Sequence, residues 1–393
     1  MAASPRRHGL GRTGLIVLGV CLAGLIAFVA STRSGGDDVA ASEAGTLRHI
    51  PAGPLLVAEI DVTALRKTPV GAQLLGEGRA IAGLGEIQKL CGSDPLDGVQ
   101  RMALSVPELA GVGFGLFATG DIDREALLGC AAKILEQRGG KPQRQRQGAF
   151  EVLADASQAP EGARLAVADG GPLLLTEPAY LTPSLAVSPD TSAAGGPHEK
   201  LQGLVPPGVM VITAVLSETQ RATLLDELRV QGATASPLRG LRDAAVSLRI
   251  VASAAAEGAP AGDGQVSVSA VLRCDAPEAA KALADDFEAR RRKASSSIAL
   301  RLVGLGGLLD AIRLRSEDRR VHADVTLPSS EVARLLSRLA ALGRRRGGIY
   351  PAPAPPPART SAPPRAPPAA TATGLSDDAG VKLKAVPSAT SPR

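Results

Sequence analysis

Histidine and cysteine are the residues of this chain best suited to chemistry, and both are scarce. The histidines are His8, His49, His198 and His322. No His-Glu-x-x-His occurs, so the helix of the common zinc hydrolases is absent. No Gly-x-Ser-x-Gly elbow follows a predicted strand. A Ser–His–Asp triad is defined by geometry and not by spacing, so residues of the right type carry no weight by themselves. His198 falls in a Gly/Pro-rich connection and His322 within a predicted strand. A hydrolase would need one of them beside a carboxylate and a hydroxyl in a cleft.

The acidic pairs have local explanations. Asp121 and Asp123 stand where a helix begins and read as caps. Asp285 and Asp286 sit near Arg290 at helical spacing, which fits i,i+4 pairing. Asp94 and Asp97 flank Pro95 and read as turn formers. A calcium loop would need more oxygen ligands at regular spacing. The glycine-rich stretches are equally plain. Gly139-Gly140-Lys141 is followed by Pro142 and lacks the upstream glycine of a P-loop. Gly111-Val112-Gly113-Phe114-Gly115 lacks the strand–turn–helix setting of a dinucleotide site and reads as close packing in or near a strand. Gly304-Leu305-Gly306-Gly307 reads as a helix stop. No cofactor and no metal is implied.

The cysteines depend on compartment, which the N-terminus addresses. Thr13–Thr32 reads TGLIVLGVCLAGLIAFVAST and carries no charge. About 20 residues at about 1.5 Å each span about 30 Å, one hydrocarbon core. Arg6, Arg7 and Arg12 precede it, which predicts an N-terminus kept in the cytoplasm and an exported remainder. A cleaved signal peptide is the competing reading. Its apolar region is usually shorter, and Phe28-Val29-Ala30 puts a bulky residue where a small one is wanted. Val39-Ala40-Ala41 is a better cleavage site but lies beyond Asp37 and Asp38. A lipoprotein would want a small residue before Cys21, where Val20 stands. The expectation is a single-pass protein of the bacterial inner membrane with most of its chain outside the cytoplasm. In an oxidising compartment disulfides persist. Cys91 and Cys130 are predicted to pair, closing a loop that the chain-entropy model values at about 4 kcal/mol. Cys274 follows an alternating strand and reads as a small buried residue.

The formal net charge of +5 is modest for 393 residues. Tryptophan is absent and aromatic residues make up 2%, so the core must be aliphatic. The basic runs Gln143–Gln147, Arg290–Lys293 and Arg344–Arg346 lack the aromatic platforms of nucleic-acid binders and read as solvated faces. Nucleic acid is not an expected partner. Anionic lipid or an envelope polymer is compatible with the charge.

Two copies of one α+β unit, displaced by about 155 residues, follow the linker. Pro51-Ala52-Gly53 opens into LLVAEIDV, and Pro206-Pro207-Gly208 opens into VMVITAVLS. Ser217 and Gln220 form a capping box for a helix from Glu218. Each copy then shows a hairpin of period two: Met102, Leu104, Val106 with Val112, Phe114, Leu116, and Val246, Leu248, Ile250 with Val266, Val268, Leu272. Asp121 and Asp275 are expected to open the next helices. Phe150–Ala156 with Arg164–Asp169 forms a second hairpin, matched by Ala311–Arg315 with Arg320–Leu327. Glu331–Leu342 closes the second copy as a helix. The order predicts two tandem ferredoxin-like (split α+β sandwich) units with antiparallel sheets after one N-terminal transmembrane helix. Helices would cover one face of each sheet. The other face, with Gly113, Gly115, Ser267 and Ser269, suits open solvent, a docked partner or packing of one copy on the other, and copy-to-copy packing is the expectation.

The resulting division is a cytoplasmic N-terminus 1–12, an anchor 13–32, a linker 33–50, α+β units 51–195 and 196–343, and a tail 344–393. Eleven of the 30 prolines follow Ile349, and this Pro/Ala-rich tail cannot repay the entropy of ordering. Pro363, Pro364, Arg365, Pro367 and Pro368 form its best short docking motif.

Cys91-Gly92-x-Asp94-Pro95, then Gly120-Asp121 leading into a helix with Cys130, resembles uncharacterised bacterial families of membrane-anchored exported proteins with duplicated α+β units. The resemblance covers Gly53–Gly343. It implies the duplicated topology, supports the Cys91–Cys130 pair, and transfers no functional residue. The function expected is non-catalytic: an anchored envelope protein that binds or organises a protein or polymer partner. The alternatives are a small-molecule or lipid binder with an apolar pocket between the copies, and an envelope hydrolase.

Overall fold

The computed structural model describes residues 45–68, 84–92, 94, 96–107, 113–158, 161–230, 238–251, 264–302, 305–328 and 331–332. The expected anchor, most of the linker, the helix beyond Val332 and the whole tail lie outside them. Among the described residues no helix is long and apolar enough to cross a membrane.

After a 3-10 turn at Thr46–His49, the strands are β1 (Leu56–Asp61), β2 (Val99–Val106), β3 (Gly115–Gly120), β4 (Pro142–Gln147), β5 (Phe150–Asp155), β6 (Arg164–Ala168) and β7 (Leu173–Thr176). Then come β8 (Met210–Val215), β9 (Leu241–Val251), β10 (Gln265–Cys274), β11 (Arg313–Glu317) and β12 (Arg320–Pro328). The helices are α1 (Val62–Arg66), α2 (Leu84–Cys91), α3 (Arg124–Gln137), α4 (Pro178–Leu185), α5 (Pro197–Gln202) and α6 (Glu218–Val230). α7 (Pro277–Ser295), α8 (Ile298–Leu302) and α9 (Leu305–Ala311) complete them.

All the strands belong to one 12-stranded sheet in the order β11-β12-β10-β9-β8-β1-β2-β3-β7-β6-β5-β4. The fold is α+β and every strand pairing in it is antiparallel. The separate sheet expected for each unit does not form. Instead the opening strands of the two units pair at the centre, with Leu56 opposite Ala214 and Ile60 opposite Met210. Ala58 faces Ile212 at the middle of this ladder. From this seam each half runs outward through a meander, β1-β2-β3 one way and β8-β9-β10 the other. The first half then adds β7, β6, β5 and β4, and the second adds β12 and β11.

Period two explains why the seam holds. Ile60 of β1 and Ile212 of β8 lie on one face, over a core of Leu65, Val209, Met210, Leu248, Ile250 and Val266. Val62 joins a neighbouring cluster with Val99, Ala118 and Leu128. α1 therefore packs into both halves through two residues three positions apart, the spacing of one helical face. Farther out, α7 buries Ala280, Leu283 and Ala284 against Val321 and Cys274.

The opposite face is not the copy-to-copy contact that the small residues suggest. α4 lays Tyr180 and Leu181 over Val57, Ala103, Phe117 and Leu174. A Cβ on Gly115 would meet Phe117 Cε2 at 2.7 Å and Tyr180 Cε1 at 2.8 Å, so glycine there admits the two rings. α5 seats Leu201 against Ala245 and Val271. Beyond it this face opens: Arg249, Arg315 and Thr326 are exposed, and Ser267 bonds Thr326 hydroxyl to hydroxyl at 2.9 Å.

Several local expectations hold. Ser217 and Gln220 form the capping box, with bonds of 2.8 and 3.2 Å. Asp123 caps α3 by accepting from Ala126 N–H at 3.0 Å. Others change. Asp275 is not a cap; Ala276 holds that position, and the Asp275 carboxylate pairs with Arg221 at 2.8 Å and Arg242 at 3.2 Å. Two guanidiniums outcompete one backbone donor for the same oxygens. Gly306 and Gly307 lie inside α9 and do not stop a helix.

Candidate functional site

The fold holds two polar places of interest: a buried one at the seam and an open one at the end of β2 and β3. The first is built around His198, the second residue of α5, which is 2% exposed. Pro197 at the first helical position fixes the entry and has no N–H to leave unpaired. The His198 Nε2 lies 2.8 Å from Pro54 O. A carbonyl only accepts, so Nε2 carries the proton and Nδ1 is the acceptor. Thr213 Oγ1, 2.7 Å from Nδ1, then donates to it. Pro54 leads into β1 and Thr213 sits on β8, so one imidazole ties both halves to α5. Burial lowers the pKa of His198, with the Pro54 bond, Glu59 and Asp243 opposing it. The ring is neutral at pH 7. Alongside, Glu59 accepts from Thr46 and from Gln202.

A histidine on a hydroxyl is the pair that a hydrolase would use, yet Thr213 is 0% exposed. Both ring nitrogens are committed to structural partners. Between the halves lies the β1–β8 ladder, where the sequence suggests a pocket for a small molecule. His322 sits on β12 with its Nε2 3.9 Å from Glu317 Oε2, and no hydroxyl bonds it among the described residues.

The second place is a surface recess of about 490 Å³. Its walls carry Arg48 and His49 from the 3-10 turn, Gln100 and Arg101 from β2, Thr119 from β3, and Asp121. The β6–β7 turn, Gly170–Pro172, closes one side. A bulge between Val99 and Arg101 shapes it. There Gly98 has φ +79°, and a Cβ would come within 1.7 Å of Asp121 O. Only glycine lets the two backbones approach so closely, and that approach sets Asp121 at the rim. Arg101 stands opposite Thr119 and 4.0 Å from Asp61, a long contact. Arg48 is exposed and donates through its Nε to His49 Nε2 at 3.1 Å. Its two terminal nitrogens contact no carboxylate among the described residues. Burial, and then the charge of Arg48, lower the pKa of His49.

The predicted disulfide is present. Cys91 at the end of α2 bonds Cys130 on α3, with Cα atoms 5.0 Å apart. Cys274 is a buried free thiol whose pKa burial raises. The docking motif Pro363, Pro364, Arg365, Pro367 and Pro368 lies outside the described residues. Two basic runs are engaged in ion pairs. Arg144 on the edge strand β4 meets Glu125 at 2.9 Å and Glu151 at 3.3 Å. Arg291 and then Arg292 hold the Glu288 carboxyl down to about 2. The recess is hidden in the sequence because its residues come from four separate segments. Arg48 and His49, neighbours within the predicted linker, are its local sign in the sequence.

No family model matches this sequence, and no curated protein matches it. Among solved structures, crystal form I of TP0453 is similar, at 9% identity and a TM-score of 0.39. That match covers 78% of this chain and 99% of the other. At that score the likeness carries no argument about fold or function.

Proposed function

We propose that this chain is a single-pass, membrane-anchored protein of the bacterial envelope that works by holding a partner and not by catalysis. Its two halves are read as duplicated units of ferredoxin-like descent, joined through their first strands. The observation that carries the reading is the use made of His198. The best-placed imidazole and hydroxyl are spent on clamping the seam, where no substrate reaches them. The exposed wall of β9, β10, β12 and β11, with Arg249, Arg315 and Thr326, supplies a broad polar surface for a protein or polymer.

The test is in-cell crosslinking of the tagged full-length protein, followed by mass spectrometry of what co-purifies from membranes. One stoichiometric envelope partner is expected. Its loss on deleting residues 350–393, or on the Arg249→Glu/Arg315→Glu exchange, would say which surface carries it. Absence of any reproducible partner would overturn the reading.

A further inference from the structure

The recess at the end of β2 and β3 presents charges of both signs with little to neutralise them. Arg48 offers two terminal nitrogens that meet no carboxylate among the described residues, and Arg101 has only a contact of 4.0 Å to Asp61. Asp121, on the same wall, takes part in no ion pair among the described residues. Thr119 and Gln100 add a hydroxyl and an amide, which can donate or accept. His49 adds a ring whose Nε2 already accepts from Arg48, which leaves Nδ1–H as a donor. A plain anion would meet the repulsion of Asp121, and a plain cation that of the two arginines. A ligand with one group of each sign satisfies both. Two guanidinium forks suit the several oxygens of a phosphate better than the two of a carboxylate. A primary ammonium, a compact donor, suits Asp121.

We infer that the recess binds a small zwitterion carrying a phosphate ester and a primary ammonium, the chemistry of a phosphoethanolamine group. That group comes either on a lipid headgroup or on a free solute. The inference does not depend on the partner-holding reading above.

The test is calorimetric titration of the full chain, held in an uncharged maltoside detergent, with glycerophosphoethanolamine and separately with glycerol phosphate, which lacks the ammonium. Saturable binding of the first is expected. Arg48→Ala, a change at an exposed residue, should weaken it about tenfold, the loss of one charge-assisted contact. Asp121→Asn should weaken the ethanolamine compound severalfold and strengthen glycerol phosphate, because it removes an attraction in one case and a repulsion in the other. Unchanged melting temperatures show that both variants are folded. Doping the micelles with phosphatidylethanolamine separates the sources. Suppressed titration assigns the site to the lipid headgroup, and an unaffected titration assigns it to the solute. No binding to wild type, an Arg48→Ala variant that binds equally well, or an Asp121→Asn effect of the same sign on both compounds would overturn the proposal. So would tighter binding of a simple amino acid than of the phosphate compound.

Discussion

His198 Nδ1 and Thr213 Oγ1 lie 2.7 Å apart at the seam, with the opposite ring nitrogen on Pro54 O. The imidazole is buried and its native pKa is lowered, so protonation must either break these bonds or await unfolding. For a group with a depressed native pKa, the unfolded chain takes up the proton first. Stability is therefore complete above about pH 6.5 and declines as pH falls from there toward the native value. His49 contributes with the same sign. Urea denaturation between pH 5 and 8 should show this decline, and a His49→Gln/His198→Gln protein should lose most of the slope. At pH 7.5, His198→Ala alone should cost about 2–4 kcal/mol, since it leaves the buried Pro54 carbonyl without its donor and the Thr213 hydroxyl with only a long bond of 3.4 Å to Val57 O. A pH-independent wild type would contradict the clamp.

The disulfide gives a chemical prediction. With Cys91 and Cys130 separated by 39 positions, removing the bond should cost up to about 4 kcal/mol on the chain-entropy model. Cys91→Ser/Cys130→Ser and wild type under reductant should melt alike, both below oxidised wild type. Cys274 is 3% exposed, and burial, Asp275 and Asp243 all raise its pKa. In the native oxidised protein none of these three should react with iodoacetamide, and in urea Cys274 should be the one of the three that does.

What the sequence reveals follows from how each element is stabilised. β2, β3, β9 and β10 are half-buried and show period two, so their residues alone disclose them. β4, Pro142–Gln147, shows no apolar alternation; as an edge strand it is held by its ladder to β5 and by the pairs of Arg144. It therefore looks like a solvated basic run. α4 contains Pro183 and α5 starts inside a Gly/Pro-rich stretch, so each reads as a connection. The joining of the halves is invisible because β1 and β8 look the same whether they form two edges or one seam. His198 is opaque for a related reason: its partners lie 144 and 15 positions away.

Tyr180 and Gly115 are coupled. Tyr180 OH bonds Ser105 Oγ at 3.0 Å, and its ring meets Phe117 edge-on with centroids 6.4 Å apart. Tyr180→Phe should cost about 1 kcal/mol, one buried hydrogen bond. Gly115→Ala should cost about 1–3 kcal/mol through overpacking. In a Tyr180→Ala background that second penalty should shrink, because one of the two rings in the way is gone. A double-mutant cycle by urea denaturation measures the difference, and strict additivity would show that the glycine serves some other purpose.

The seam makes the last prediction. β1 is paired on both sides, with β2 and with β8, so every N–H along it serves one ladder or the other. Proline at Ala58 removes a donor from the middle of the sheet and adds a ring where a neighbour lies close, at a cost of about 3 kcal/mol or more. If the halves were independent domains, only the first would suffer. Here Ala58 faces Ile212, and α1 packs Val62 into one half and Leu65 into the other. Loss of the seam strips both halves of a neighbour strand and of a shared helix. Hydrogen exchange should therefore show β9 and β10 losing protection together with β2 and β3 in Ala58→Pro, and calorimetry should show one transition in wild type. Retained protection of β9 and β10 would mean that the second half stands without the first.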